Sequence, residues 1–226
     1  MKIVMTPNPY RDKQFKYALE AKRILEQTGC TVRVCLPFDV DRGYVFPPEL
    51  KLYDLRSEIK TAQMLICFGG DGTILHASKF ATQNHIPVLG VNIGTMGFIA
   101  ELEAGELELL KKIPAGQYTL EPRSMLDVTV HTEQQEVFHE TALNDAVITK
   151  GAIARVVNIS IYCDGVEATS FSGDGVIACT PTGSTAYSMS AGGPIVEPAA
   201  KNLLITPICA HAMLSRSIVT SPRRVI

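Results

Sequence analysis

The feature that most constrains the fold is the order of an apolar run, a glycine-rich loop and a helical pattern at residues 64–83. Met64 to Phe68 is uninterrupted apolar sequence, and GGDGT follows at residues 69–73. Apolar residues at helical spacing then continue from Ile74 to Gln83. A strand buried on both faces is typical of a parallel sheet that is covered by helices. The order therefore predicts an α/β domain in which this loop joins a central strand to a helix.

The rest of the chain divides by its hydrophobic period. Up to about residue 113, strand-like and helix-like segments alternate; we expect strands at 2–5, 31–36 and 86–91 and helices at 13–27 and 49–61. From residue 126 onward, apolar and polar residues alternate, and Asp164-Gly165 has the form of a hairpin turn. We predict a Rossmann-like parallel α/β domain at residues 1–118. A β-rich, sandwich-like domain follows at 119–226.

Composition excludes several classes of protein. Lys plus Arg total 21 and Asp plus Glu total 23, so a net charge of −2 gives no sign of a nucleic-acid partner or a membrane surface. No apolar run reaches the length of about 18 residues that spans a bilayer. The six cysteines form no Cys-x-x-Cys pair, which favours buried thiols over zinc ligands or disulfides. We expect a cytoplasmic protein.

The loop at residues 69–73 is the strongest chemical signal. Its glycines allow a ligand to approach closely, and the amides that begin the helix can face an anion. Asp71 places a carboxylate beside that anion, where it could accept a proton or hold a metal ion. The alternative is a plain strand-to-helix turn in which Asp71 caps the helix.

Two polar clusters in the second half complete the set. Residues 172–190 read SGDGVIACTPTGSTAYSMS, which predicts a short helix from about Thr185 whose amides and hydroxyls face a polar ligand. Asn144-Asp145 interrupts an apolar strand and could bind a purine edge or ribose hydroxyls. The alternatives are a Ser/Thr-rich loop that caps a helix and a turn between two strands, respectively.

These clusters, in this order, resemble the NAD kinase family. Diacylglycerol kinases, sphingosine kinases and 6-phosphofructokinases carry loops similar to GGDGT. Residues 174–188 are much more specific to the NAD kinase family. LGVNIGTMGFIAEL at 89–102 and ITPICAHAMLSRSIV at 205–219 also look like family segments, although Ala210 stands where members commonly have proline. The resemblance implies transfer of the ATP γ-phosphoryl group to the 2′-hydroxyl of the adenosine ribose of NAD, with Mg²⁺ as the expected divalent cation.

The resemblance also assigns residues. It implies that Asp71 is the catalytic proton acceptor and that Gly72 and His76 line the nucleotide site with it. The remaining predicted NAD-site residues are Asn144, Asp145, Arg155, Asp174, Thr185, Ala186, Tyr187, Ser188, Met189 and Ser190. No metal ligand is named by spacing. The phosphate donor stays open between ATP and inorganic polyphosphate.

Two other expectations concern the chain as a whole. The family's length implies that the second domain continues past Ile226, so we expect it to be truncated here. Strand-like residues run to this end without the polar residues or prolines that protect a free sheet edge. Together with the resemblance, this predicts a homodimer or homotetramer. The functional alternatives are a non-catalytic NAD(H)-binding module and a lipid or sugar kinase with the same glycine loop.

Overall fold

A six-stranded parallel sheet organises the first 120 residues. The structure, a computed structural model, describes residues 1–94, 97–133, 135–151, 156–211 and 216–221. The chain forms two compact units, Met1–Leu120 and Glu121–Ile226. The sheet of the first unit contains β1 (Lys2–Pro7), β2 (Thr31–Cys35), β3 (Leu52–Tyr53), β4 (Met64–Gly69), β5 (Val88–Asn92) and β6 (Leu102–Glu103). The strand order is β3-β2-β1-β4-β5-β6.

Helices cover both faces of this sheet, as the apolar strands require. The α-helices are α1 (Lys16–Gln27), α2 (Leu55–Glu58) and α3 (Asp71–Gln83), and 3₁₀ segments lie at Lys13–Phe15, Ile59–Thr61 and Ala104–Lys112. One core joins α1 and residues 104–112 to one face, and a second joins α2 and α3 to the other. β4 is buried along its whole length, so the predicted central strand is confirmed.

The strand order creates a switch point between β1 and β4. From β1 the chain crosses to β2 on one side, and from β4 it crosses to β5 on the other. The loops that leave the carboxyl ends of β1 and β4 therefore diverge. In open α/β sheets, ligands bind in the crevice that such divergence leaves. The GGDGT loop follows β4 at this crevice.

Two predicted helices differ in the structure. The helix expected at 49–61 is wrong at its start, because Leu52 and Tyr53 pair with β2 as an edge strand. Helix begins only after Asp54, whose carboxylate accepts the amide of Ser57 at 2.8 Å. The helix expected at 13–27 is broken at Gln14 and Phe15, which both have φ of 57°.

The second unit is built from antiparallel strands. They are β7 (Leu126–His131), β8 (Glu136–Ala142), β9 (Asp145–Thr149), β10 (Val157–Cys163), β11 (Val166–Gly173), β12 (Gly175–Cys179), β13 (Leu203–Ile208) and β14 (Ile218–Thr220). β7 pairs with β8 and β10 with β11, and a four-stranded sheet has the order β14-β13-β12-β9. A 3₁₀ turn at Thr182–Thr185 and the short helix α4 (Tyr187–Ser190) follow β12.

Local signals in this unit are confirmed. Asp164 and Gly165 have φ of 53° and 78°, as a two-residue hairpin turn between β10 and β11 requires. Apolar clusters cover both faces of β12, with Val176 in one and Ile177 in the other. Five cysteines are buried thiols as expected, but Cys209 is exposed. Within the described ranges, no helix is long and apolar enough to cross a membrane.

Candidate active site

The glycine-rich loop of the first unit borders a cavity of about 230 Å³. Its walls come from the loops after β1 and β4 and from the segment after β2; they are Asn8, Arg11, Phe38 and residues 70–73. The cavity thus lies at the carboxyl ends of the two strands where the sheet order reverses. The Phe38 ring stacks on Tyr10, with ring centroids 6.3 Å apart, and forms an apolar wall. Residues 70–73, where α3 begins, contribute backbone amides to the lining.

Asp71 is the first residue of α3 and the only carboxylate among the described residues that line this cavity. Its Oδ2 accepts the amide of Phe98 at 3.0 Å, and its Oδ1 accepts the amide of Ile99 at 3.2 Å. A Cβ on Gly97 would lie 2.6 Å from Oδ1, so only glycine fits this approach. Asp71 therefore holds the segment after β5 as well as facing the cavity.

The other two predicted site residues of the first unit, Gly72 and His76, differ in their relation to the cavity. Gly72 lines the cavity directly. His76 lies one turn along α3, where its ring meets the edge of Phe38 at a centroid distance of 6.0 Å. His76 is exposed and does not line the cavity, but its ring contact supports the position of Phe38.

In the second unit, backbone hydrogen bonds join Asn144 to the loop after β12. The Asn144 carbonyl oxygen accepts the Thr180 amide at 2.9 Å, and the Thr180 hydroxyl donates to the Leu143 carbonyl oxygen at 2.6 Å. The Gly183 amide donates to that same hydroxyl oxygen at 3.1 Å. The predicted Asn144-Asp145 pair and the predicted 182–190 segment therefore lie together.

Polar atoms are left unpaired at this junction. Asn144 Oδ1 and Thr182 Oγ1 are buried without a hydrogen-bond partner in the part of the chain that the structure describes. A buried polar atom without a partner is costly, so a ligand group or water that pairs with it is stabilised. Burial raises the pKa of the Asp145 carboxyl above its ordinary range, and the Tyr187 amide, which donates to it, partly opposes that shift.

The predicted residues at 185–190 divide by exposure. Tyr187, Met189 and Ser190 are exposed and Thr185 and Ala186 are half-buried, so these five are accessible to a ligand. Ser188 is fully buried and its hydroxyl lies 2.8 Å from that of Thr206 on β13. Its contact to β13 fixes α4, which is a packing role.

Asp174 lies apart from the other predicted residues of its unit. β9 and β12 pair so that Cys179 faces Asp145 and Gly175 faces Thr149. Asp174 precedes Gly175 and is five residues from Cys179, which places it about 17 Å along the strands from Asp145. Its carboxylate pairs with Lys150, with Nζ 2.6 Å from Oδ1. Arg155, the remaining prediction, lies outside the described residues.

Sequence comparison decides the family. The chain matches the model of the ATP-NAD kinase N-terminal domain over residues 3–118. It matches the model of the ATP-NAD kinase C-terminal domain over residues 143–226. The chain belongs to the NAD kinase family. The resemblance stated from the motifs is thereby confirmed.

Individual relatives agree with this assignment. The NAD kinase of Acetivibrio thermocellus is 36% identical over 233 residues, an alignment that covers 100% of this chain and 77% of that protein. The NAD kinase of Carboxydothermus hydrogenoformans is 43% identical over 173 residues, covering 76% of this chain and 62% of that protein. The chain therefore spans between 62% and 77% of the length of these relatives.

A solved structure supports the same fold. Yeast NADH kinase, crystallised in complex with NADH, superposes with a TM-score of 0.83 at 25% identity. The match covers 99% of this chain and 70% of the yeast chain. The predicted fold class, a parallel α/β unit followed by an antiparallel β-rich unit, is confirmed.

Sequence reasoning missed residues that the site contains. Arg11 and Asn8 line the cavity, but the segment Asn-Pro-Tyr-Arg after β1 matches no motif. Thr180 connects the Asn144 region to the loop after β12, and only its place beside the specific 174–188 stretch hinted at this. Lys150 is paired with Asp174 across two strands, a contact that sequence spacing does not reveal.

Proposed function

We propose that this chain is an NAD kinase, which transfers the terminal phosphoryl group of ATP or polyphosphate to the 2′-hydroxyl of the adenosine ribose of NAD. The observation that carries the proposal is Asp71. Asp71 places a carboxylate in a glycine-rich loop at the start of a helix, where it lines a cavity, in a chain of this family. NADH is the ligand of the yeast relative, which makes a dinucleotide acceptor the natural choice here.

The proposed reaction is an in-line displacement. The 2′-oxygen forms a bond to the γ-phosphorus while the bond from that phosphorus to its bridging oxygen breaks. With ATP as donor, ADP leaves with the electron pair. The hydroxyl proton passes to the Asp71 carboxylate, which orients the hydroxyl beforehand. Positioning and charge neutralisation supply most of the catalysis in such transfers.

The accepting side is assigned to the second unit. We propose that Asn144 and Asp145 bind the adenosine of NAD, with Tyr187 and its neighbours in α4 covering the base or ribose. Support comes from the unpaired, buried Oδ1 of Asn144 and from the exposed Tyr187, whose amide donates to the carboxylate of the neighbouring Asp145. Aromatic rings pack well against nucleobases and sugars.

The expected Mg²⁺ ion fits a site of this kind. Among the described residues, no three His, Cys, Asp or Glu side chains cluster as metal ligands. Mg²⁺ commonly keeps several waters and binds through one or two carboxylates plus substrate phosphates. Asp71 is the residue that would hold it, since each carboxylate oxygen has a second lone pair free. When bound, Mg²⁺ neutralises charge on the donor phosphates.

We also propose a homodimer or homotetramer in a reducing compartment such as the cytoplasm. All six cysteines are free, which suits reducing conditions. Asp174 lies far along β12 from Asp145 within one chain, so a role in NAD binding is more readily met by a neighbouring copy. Exposed apolar residues on the second unit, including Phe138, Ile148 and Val166, supply contact area.

The test is a direct assay for NADP. The protein is incubated with NAD, Mg²⁺ and either ATP or polyphosphate, and NADP is detected with an NADP-specific dehydrogenase. NADP that accumulates with time and enzyme concentration supports the proposal. NAD binding without NADP formation would instead support a non-catalytic NAD(H)-binding module. Phosphorylation of a lipid or sugar would support a lipid or sugar kinase.

A further inference from the structure

One charged group at the cavity has no assigned role, the guanidinium of Arg11. Arg11 lies in the loop after β1 and lines the cavity, and its side chain is exposed. The Arg11 amide donates to the Asn8 carbonyl oxygen at 3.1 Å, but across the described ranges the guanidinium makes no hydrogen bond or ion pair. A guanidinium offers five N–H donors in a planar fork that matches phosphate oxygens. Its free donors therefore point to an anionic ligand.

The backbone around Arg11 is fixed on both sides. Asn8 donates from Nδ2 to the Thr73 hydroxyl at 3.0 Å, which ties the loop to the first turn of α3. Asp12 is fully buried, and its carboxylate accepts the amides of Tyr17 and Ala18 in α1 at 3.0 and 2.9 Å. Arg11 thus projects from a short segment anchored to two helices, and its position owes little to its own contacts.

Two glycines leave room for the guanidinium. A Cβ on Gly70 would lie 3.8 Å from the guanidinium carbon, and a Cβ on Gly94 would lie 2.5 Å from Nη1. The first distance is ordinary contact, whereas the second would displace the end of the Arg11 side chain. The loops after β4 and β5 are therefore shaped so that the guanidinium lies over them.

Within the described ranges, neither Asp71 nor Asp12 forms an ion pair with Arg11. Asp71 accepts the amides of Phe98 and Ile99, and Asp12 accepts the amides of α1. The cavity therefore presents a guanidinium without a partner among the described residues, beside Gly70 and the first residues of α3, at the switch point of the sheet. This arrangement complements a chain of linked phosphates, which carries several negative charges in a row.

We propose that Arg11 binds the donor's phosphate chain and that Gly94 is required to admit its guanidinium. The proposal rests on the proposed function, because it identifies the phosphoryl donor's ligand at the same cavity. The ligand class is a triphosphate, either the tail of ATP or inorganic polyphosphate. Arg11 contacts substrate in this assignment, whereas Gly94 acts only through Arg11.

The test measures binding without turnover. Titration calorimetry with inorganic tripolyphosphate and, separately, with ATP is carried out on the wild type, Arg11→Gln, Gly94→Ala and the double variant. Exposed Arg23→Gln on α1 and Gly105→Ala, where a Cβ meets nothing within 4 Å, are the matched controls. Loss of a charge-assisted hydrogen-bonded pair predicts a Kd about tenfold higher for Arg11→Gln with both ligands.

The double variant gives the sharpest outcome. Since Gly94→Ala acts by displacing Arg11, it should weaken binding in the wild type and add nothing in the Arg11→Gln background. The controls should bind like the wild type. The added methyl group of Gly94→Ala would meet only the flexible end of the Arg11 side chain. We therefore expect this variant to fold, and its thermal midpoint checks this.

The proposal is overturned by wild-type affinity in Arg11→Gln, by additive losses in the double variant, or by a wild type that binds no tripolyphosphate. A loss confined to ATP would also overturn it, because Arg11 would then read the nucleoside. Failure of the proposed function looks different: the wild type binds tripolyphosphate through Arg11 but makes no NADP. The two results are thus separable.

Discussion

Replacing Asp71 with asparagine separates chemistry from structure at the cavity. The change keeps size and shape but removes the charge and the proton acceptor. A positioned general base contributes about 10²–10⁴-fold to rate, which is about 3–5 kcal/mol of barrier. We expect kcat of Asp71→Asn to fall by at least about 100-fold. The Kd for NAD should stay within a few-fold, because Asn144 and Asp145 are assigned to its adenosine.

The same variant carries a structural cost that can be measured independently. An asparagine has one acceptor oxygen, so it can accept the amide of Phe98 or that of Ile99, but the other would face an NH₂ group. Loss of one hydrogen bond at this partly exposed position costs about 0.5–1.5 kcal/mol of folding stability. The thermal midpoint should therefore fall by a few degrees. That loss is smaller than the expected loss of transition-state stabilisation.

Gly97→Ala supplies the comparison. Its Cβ would press on Asp71 Oδ1 at 2.6 Å, which disturbs the carboxylate and the loop while leaving the charge in place. We expect it to lose stability like Asp71→Asn but to keep more activity. Glu20→Gln, an exposed carboxylate-to-amide change on α1, should alter neither quantity. Near-wild-type turnover in Asp71→Asn, or equal losses in Asp71→Asn and Gly97→Ala, would refute the assignment of Asp71 as base.

Three further predictions test the second unit and the assembly. Asn144→Ala should raise the KM for NAD more than that for ATP in steady-state kinetics, since its buried Oδ1 is unpaired and its backbone bond to Thr180 survives; equal shifts would contradict the assignment. Burial raises the pKa of Asp145, so its ionisation destabilises the fold increasingly as pH rises from its ordinary pKa to the raised one. Asp145→Asn should therefore raise the thermal midpoint at pH 7, and this gain should vanish below about pH 4; a gain that persists in acid would disprove this cause. Light scattering should show a closed oligomer whose specific activity falls on dilution, whereas a fully active monomer at every concentration would defeat the prediction.

The parts of this protein that sequence predicts well are those with a local signal. The apolar run of β4, the glycines after it and the helical period of α3 are contiguous, and each favours the same local structure. The hairpin at Asp164-Gly165 is equally local, because two residues with positive φ determine it. The family resemblance rests on such contiguous segments too.

Contacts between distant segments could not be predicted from the sequence. Arg11 reaches the cavity because β1 lies beside β4 in the sheet. No local sequence pattern indicates this strand order. The edge strand at Leu52 forms because β2 offers a free partner, which overrides the helical spacing around it. The separation of Asp174 from Asp145 likewise follows from the register of β9 and β12. Tertiary pairing decides all three.

The central claim is that this chain moves a phosphoryl group from the donor at the glycine-rich cavity to the 2′-oxygen of NAD. The most direct measurement uses ATP labelled with ³²P in the γ-position, together with NAD and Mg²⁺, and follows the label by chromatography. The account predicts label in NADP at the 2′-position, one equivalent of ADP per NADP, and loss of both products in Asp71→Asn. Label that stays in ATP or appears only as inorganic phosphate, while NAD remains bound and unchanged, would contradict it.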